Sequence, residues 1–150
     1  MKKYILSIDA GTTGLTIILF DKNLRVAHKN YIELKQYYPN PGWVEHDPIE
    51  IIHKIDHMLN VLFKKINPNT IDSIGITNQR ETAVVWDKIS GKPIYNAIVW
   101  QCRRTHSICE DLKKEYNKTI FDKTGLYIDS YFSASKIKWI LDNTTCSKNN

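Results

Sequence analysis

Cysteine is scarce in this chain. The three present, Cys102, Cys109 and Cys146, are odd in number, and no two stand at a metal-ligand spacing. That excludes a disulfide-stapled scaffold and a cysteine-based zinc site, and it reads as a reduced, cytoplasmic protein. Long hydrophobic runs are missing too. Met1-Lys2-Lys3 is followed by an apolar run broken at Asp9, too early for a signal-peptide core, and no stretch approaches transmembrane length. Clustered positive charge is also lacking: the net charge is +5, but the lysines are scattered and no basic run exceeds two residues. A nucleic-acid surface needs basic residues clustered and interleaved with aromatics, so neither nucleic acid nor membrane is expected as a partner. The charge instead serves solubility, with some attraction for anionic metabolites. Repeats and low-complexity linkers are absent, as are the Gly-Lys-Ser/Thr of a Walker loop and the three spaced glycines of a dinucleotide fingerprint.

What is there supports a real core. Hydrophobic residues make up 42% of 150 positions, four of them tryptophan, enough for one domain. The organising stretch runs from Ile5 to Phe20. Two apolar runs flank a tight turn, Gly11-Thr12-Thr13-Gly14, and Asp9 closes the first run. The second run is rich in branched residues, so it reads as a strand. A hairpin turn with backbone N–H groups and two hydroxyls makes a donor nest suited to phosphate. Asp9 beside it would repel phosphate unless a hard cation such as Mg²⁺ sat between them. The stretch alone fits either a metal–nucleotide phosphate loop or an ordinary hairpin.

Asp21-Lys22-Asn23 makes a second turn and Leu24–Leu34 a third strand, giving an antiparallel meander. After a loop with Pro39, Pro41 and Gly42, Asp47 is an N-cap, with Pro48 at the first helical position and Glu50 three past the cap. Ile51, Ile52, Ile55, Leu59, Leu62, Phe63 and Ile66 recur at helical spacing, and Asn67-Pro68 stops the helix. Ile71–Thr77 reads as a buried strand parallel to the first. Further on, the sequence predicts a strand at Thr82–Trp86, a turn at Ser90–Pro93 and an extended piece at Asn96–Trp100. It also predicts a helix over Cys102–Tyr116, with Cys102, Ile108, Cys109 and Leu112 inward, and another over Ser133–Leu141, with Ile137, Ile140 and Leu141 inward. A polar, frayed tail is expected from Asn143. Meander, crossover helix and parallel strand together make a mixed α/β sheet.

Ile74-Gly-Ile-Thr-Asn-Gln-Arg80-Glu81-Thr82 is the second informative stretch. Its polar residues follow a strand, where open α/β sheets place ligands. Arg80 supplies permanent donors and Glu81 a strong acceptor, a pair able to hold neighbouring hydroxyls; a solvated surface ion pair is the plainer reading. Trp100 is suited to wall a small pocket and Tyr131 to add a phenolic hydroxyl, though core packing suits either ring. Glu45, His46 and Asp47 are consecutive and do not converge easily on a metal. His53 and His57 lack the glutamate of a zincin helix and read as exposed.

Five segments then carry a resemblance: Asp9–Thr13, Tyr38–Pro48, Ile74–Thr82, Gly91–Thr105 and Phe132–Leu141. In this order they resemble the glycerol kinases of the sugar/polyol kinase superfamily, with its ribonuclease-H/actin-like ATPase fold. The resemblance implies ATP-dependent phosphorylation of glycerol to sn-glycerol 3-phosphate, with ATP and Mg²⁺ as cofactors and frequent homo-oligomers. It places Thr12 and Thr13, with Gly11 and Gly14, at the nucleotide phosphates and Asp9 at Mg²⁺. Arg80, Glu81 and Tyr131 would bind glycerol hydroxyls, and Trp100 would pack on its carbons. Two departures stand out. Thr16 occupies the position of a phosphate-approaching arginine. The chain also has the extent of an N-terminal segment (1–150), incomplete relative to the family, with the adenosine site and catalytic base expected in a second domain. A non-catalytic remnant or binding module, or a kinase for another polyol or sugar, are the alternatives.

Overall fold

Alternation through Leu6, Ile8, Leu15, Ile17 and Leu19 puts five apolar side chains on one face of the first hairpin, each buried to within 6% exposure. In the computed structural model, which describes residues 3–144, strands β1 (Tyr4–Ala10), β2 (Gly14–Asp21) and β3 (Val26–Glu33) form the expected antiparallel meander. Asp21 shapes the second turn, its Oδ1 accepting from the N–H of Asn23 at 2.8 Å and of Arg25 at 2.9 Å. Helix α1 (Pro48–Phe63) starts at Asp47, whose Oδ1 accepts from Ile49 N–H at 2.8 Å. It leads to β5 (Ile71–Thr77), parallel to β1, in a sheet of order β3-β2-β1-β5. Met58 and Leu62 seal the core, and burial of each such side chain contributes roughly 1.5–3 kcal/mol.

These elements make one compact unit (residues 3–35 and 47–79 of those described). Gln36–His46 and the chain from Arg80 onward make a second, a finer division than the single domain expected. The second unit holds β4 (Glu45–His46) paired antiparallel with β6 (Ala97–Ile98), then α2 (His106–Thr124) and α3 (Ser133–Asn143).

Several expectations are corrected. Ile52 is 55% exposed, and Met58 takes the inward place on α1. In β5 only Ile71 is buried, with Ile74 and Ile76 exposed, because β5 is the terminal strand of the described sheet. Thr82–Trp86 is not a strand: Ala83 bridges Ile98 and Trp86 bridges Pro93, around a turn at residues 88–90. Cys102 precedes α2, because Arg103 N–H donates to Gly42 C=O at 2.8 Å and Arg104 is drawn into the interior, keeping the chain irregular up to Thr105. The helix then runs past Tyr116 to Gly125, whose left-handed φ of 72° ends it. Leu112, Ile137 and Leu141 are exposed and Ile108 half-buried, while Cys109, Lys136 and Ile140 are buried. Asn143 still belongs to α3 and Thr144 is its C-cap, while the polar tail from residue 145, with Cys146, lies outside the described residues.

Candidate functional site

The first group of candidates belongs to the first unit. Asp9 pairs in register with Thr16 on β2 and Thr77 on β5, so a carboxylate stands between two threonines on the sheet face opposite the α1 core. The adjoining turn is tied down by its carbonyls. Gly11 C=O accepts from Gln79 Nε2 at 3.0 Å, and Thr13 C=O from Leu34 N–H at 3.0 Å and Tyr31 Oη at 3.3 Å. Gly14 lets the Tyr31 ring lie close over the turn, since a Cβ would lie 2.4 Å from the Tyr31 hydroxyl oxygen and would displace that side chain. Asp9 and Thr13 are exposed. No cluster of three or more His, Cys, Asp or Glu able to hold a metal exists among the described residues. One open carboxylate beside hydroxyls fits a mostly hydrated Mg²⁺ completed by substrate phosphates, and does not fit an all-protein cage. His53 and His57 are exposed, as expected.

The second group belongs to the second unit, where the structure gathers Glu81, Trp100 and Tyr131. The Trp100 and Tyr131 rings meet edge-on, centroids 5.9 Å apart and planes at 72°. Thr82 Oγ1, next to Glu81, accepts from Trp100 N–H at 3.3 Å. Glu81 itself has φ +63°, left-handed backbone that costs a non-glycine residue roughly 1–3 kcal/mol. Its Oε2 accepts from Ser133 N–H at 2.9 Å and Ser133 Oγ at 2.8 Å. The surface ion pair between Arg80 and Glu81 is not formed. Arg80 is exposed and has no ion-pair partner among the described residues.

Beneath this group lies a charged interior that the sequence did not disclose. Arg104 and Glu45 form an ion pair at 2.6 Å, with side chains 0% and 4% exposed. The guanidinium lies 3.9 Å from the Trp43 ring centroid and 4.6 Å from that of Trp139, in the corner formed by two indoles that meet edge-to-face. Tyr95 Oη and Asn96 Nδ2 each donate to Glu45 at 2.8 Å. Burial pushes the Glu45 carboxyl up, but the donors Asn96, Arg104 and Tyr95 outweigh it and hold the group below its usual value. Glu45 is thus spent inside the fold, and Asp47 caps α1, so neither serves a metal. Lys136 is fully buried, its Nζ donating to the carbonyls of Tyr131 and Phe132. Burial pushes its ammonium down to about 8, against the opposing pull of Glu81. Ser133 and Lys136, which contact Glu81 and Tyr131, are not among the residues the sequence singled out. Their one signal was the spacing of a hydroxyl and an ammonium one turn apart at a helix start.

An apolar groove of about 360 Å³ also lies in this unit, lined by Leu112, Tyr116, Ile120, Leu126 and Tyr127 among others. Its walls offer a polyol almost nothing to hydrogen-bond.

With this geometry in place, comparison with known proteins decides the family. Residues 4–149 match the model of the FGGY family of carbohydrate kinases, N-terminal domain. The chain belongs to the FGGY carbohydrate kinases. Over 145 residues it is 58% identical to the glycerol kinase of Leptospira biflexa serovar Patoc, covering 95% of this chain and 29% of that protein. Among solved structures, the glycerol kinase of Plasmodium falciparum with ADP superposes with a TM-score of 0.89 at 41% identity, over 97% of this chain and 30% of that one. A gluconate kinase from Lactobacillus acidophilus shares the fold, with a TM-score of 0.85 at 24% identity. This FGGY chain therefore spans a little under a third of the length of the relatives it matches. Its mixed sheet is that of the actin-like ATPase fold expected from the sequence. No described helix is long and apolar enough to cross a membrane.

Proposed function

We propose that this chain supplies the phosphate loop and the polyol grip of a glycerol kinase, which transfers the terminal phosphoryl group of ATP to a glycerol hydroxyl and forms sn-glycerol 3-phosphate. It would be the N-terminal segment of that enzyme, with the adenosine site and the base in the remaining length, and it would act in the cytoplasm. The observation that carries this reading is the convergence of Glu81, Trp100 and Tyr131 in a chain 58% identical to a glycerol kinase over 145 residues.

The chemistry follows from the residue types. Glycerol offers hydroxyls that both donate and accept. Glu81 Oε1, which carries no hydrogen bond within the described residues, would accept a hydrogen bond from one hydroxyl, and Arg80 would donate to an oxygen. Tyr131 serves a further hydroxyl and Trp100 covers the carbons. Thr12 and Thr13 with Gly11 and Gly14 would cradle phosphates, and Asp9 would hold Mg²⁺, which when bound neutralises phosphate charge. Phosphoryl transfer rests mainly on positioning and electrostatics, with a carboxylate to orient the nucleophile. That carboxylate is expected in the remaining length, and Glu81 is read as a hydroxyl acceptor.

A second reading is a non-catalytic polyol- and phosphate-binding module. One coupled assay separates them. The chain alone, and a chimera joining it to the remaining length of the Leptospira biflexa enzyme, would be given ATP and glycerol. The chimera should turn over glycerol and the isolated chain should not. Silence from the chimera beside an active parent enzyme rejects the kinase reading, and turnover of another polyol but not glycerol rejects the substrate.

A further inference from the structure

We propose that Ser133 and Lys136, at the start of α3, are positioning residues that hold Glu81 and Tyr131 in the shape that grips the polyol. The inference rests on the glycerol kinase reading and adds two residues that never touch the substrate.

The argument begins with an unusual helix start. An N-terminal helix end needs an acceptor for its orphan N–H groups, normally from the N-cap side chain. Here the N-cap is Phe132, which has none. The acceptor is Glu81, 52 residues away, and it takes both the N–H and the hydroxyl of Ser133 on Oε2. One carboxylate oxygen is thereby fixed and Oε1 is left in a defined direction. The two bonds also account for how Glu81 keeps a φ of +63°, a conformation that persists only where its surroundings over-determine it.

Lys136 does the same for Tyr131. A fully buried ammonium is costly unless its protons are bound, and a methionine would fill the space without that cost. This one donates to the carbonyls of Tyr131 and Phe132, the two residues that lead into α3. It thus pins the backbone that sets the Tyr131 ring against Trp100. Asp129 holds the other side, its Oδ1 accepting from Tyr131 N–H at 2.7 Å. A cation near a helix N-terminus opposes the helix dipole, and the Glu81 carboxylate at the same end offsets both. Two part-buried interactions thus converge on two residues of the grip, one each.

The test uses the chimera described above with Ser133→Ala, Ser133→Thr and Lys136→Met. Ser133→Ala removes one hydrogen bond to a carboxylate, a class of bond whose loss corresponds to roughly a tenfold or larger change in an equilibrium constant. The expected result is a rise of about tenfold or more in the KM for glycerol in Ser133→Ala and Lys136→Met. The KM for ATP should stay within about twofold, and Ser133→Thr, which keeps the hydroxyl, should recover most of the loss. Unchanged glycerol KM in both variants overturns the proposal. So does a parallel rise in both KM values, with lost thermal stability that Ser133→Thr does not restore. If Lys136→Met does not fold, the serine pair decides. If the unsubstituted chimera ignores glycerol while the Leptospira enzyme uses it, the kinase reading has failed instead. Positioning is then read on the 150-residue chain by NMR. Displaced amide resonances of Glu81 and Tyr131 in Ser133→Ala uphold it, and unmoved ones reject it.

Discussion

The two units of this chain are stabilised by different means. Every buried side chain reported for the first unit is apolar: Leu6, Ile8, Leu15, Ile17, Leu19, Leu34, Met58, Leu62 and Ile71. Every buried polar or charged side chain among the described residues belongs to the second: Glu45, His46, Arg104, Thr105, Ser130 and Lys136. The first is a sheet with a helix across it, held by non-directional burial. The second has two two-residue strands and depends on directional contacts between distant residues, 59 positions apart for Glu45 and Arg104 and 52 for Glu81 and Ser133. The polyol candidates sit in the second kind of structure, where polar networks fix side chains, and the candidate phosphate loop in the first. Directional networks fix side-chain orientation more tightly than apolar packing does, as the proposed polyol site would need.

The sharpest way to break this comparison is Arg104→Met, which strands Glu45 as a buried, unpaired charge. Removal of one partner of such a pair costs about 3–5 kcal/mol, read as a loss of chemical-denaturation stability. The double variant Glu45→Gln/Arg104→Met should recover much of it, because no charge is then left buried. The pH dependence gives the sign. With its pKa below the usual 4.5, Glu45 contributes stability that is present above that value and lost as pH falls through its lowered folded value. In Arg104→Met burial dominates and the carboxyl moves upward, so the gap between variant and parent should narrow on acidification. A gap that stays constant down to acid unfolding would mean that the ion pair is not what stabilises this unit.

Next in size is Leu15→Ala in the first unit. The side chain is 0% exposed, and its truncation should cost about 2–5 kcal/mol, with little dependence on pH or salt. Strong salt dependence would erase the contrast between the units. The smallest effect belongs to Thr16→Arg. Thr16 lies across from Asp9 in the hairpin, so an arginine there gains an exposed cross-strand partner worth roughly 0.2–1 kcal/mol. In the chimera it should also tighten ATP, by adding a charge-assisted contact to phosphate. Unaltered ATP affinity and rate would show that the threonine takes nothing from the loop.

The same contrast explains what was legible in the sequence. The meander, the Asp47–Pro48 helix start and the parallel β5 were readable because their signals are local: alternation, turn residues and a cap. The candidate grip was readable only through its motif. Local pattern failed in the second unit, where Thr82–Trp86 reduces to two bridges and Arg104 turns inward, delaying α2 to His106. It failed on α3 as well, whose inward lysine and outward Ile137 reverse the usual sorting by polarity.

By itself, the order of residues determined the αβ unit and the place of Asp9 at the end of its first strand, since hydrophobic period and turn chemistry act over a few positions. Only the tertiary structure decided that Glu81 adopts a left-handed backbone as the cap of a helix 52 residues away. It alone made Lys136 an interior cation, and paired Arg104 with Glu45 against two indoles. A buried charge is tolerated only where its partners converge in space, and no local pattern in the chain records that convergence.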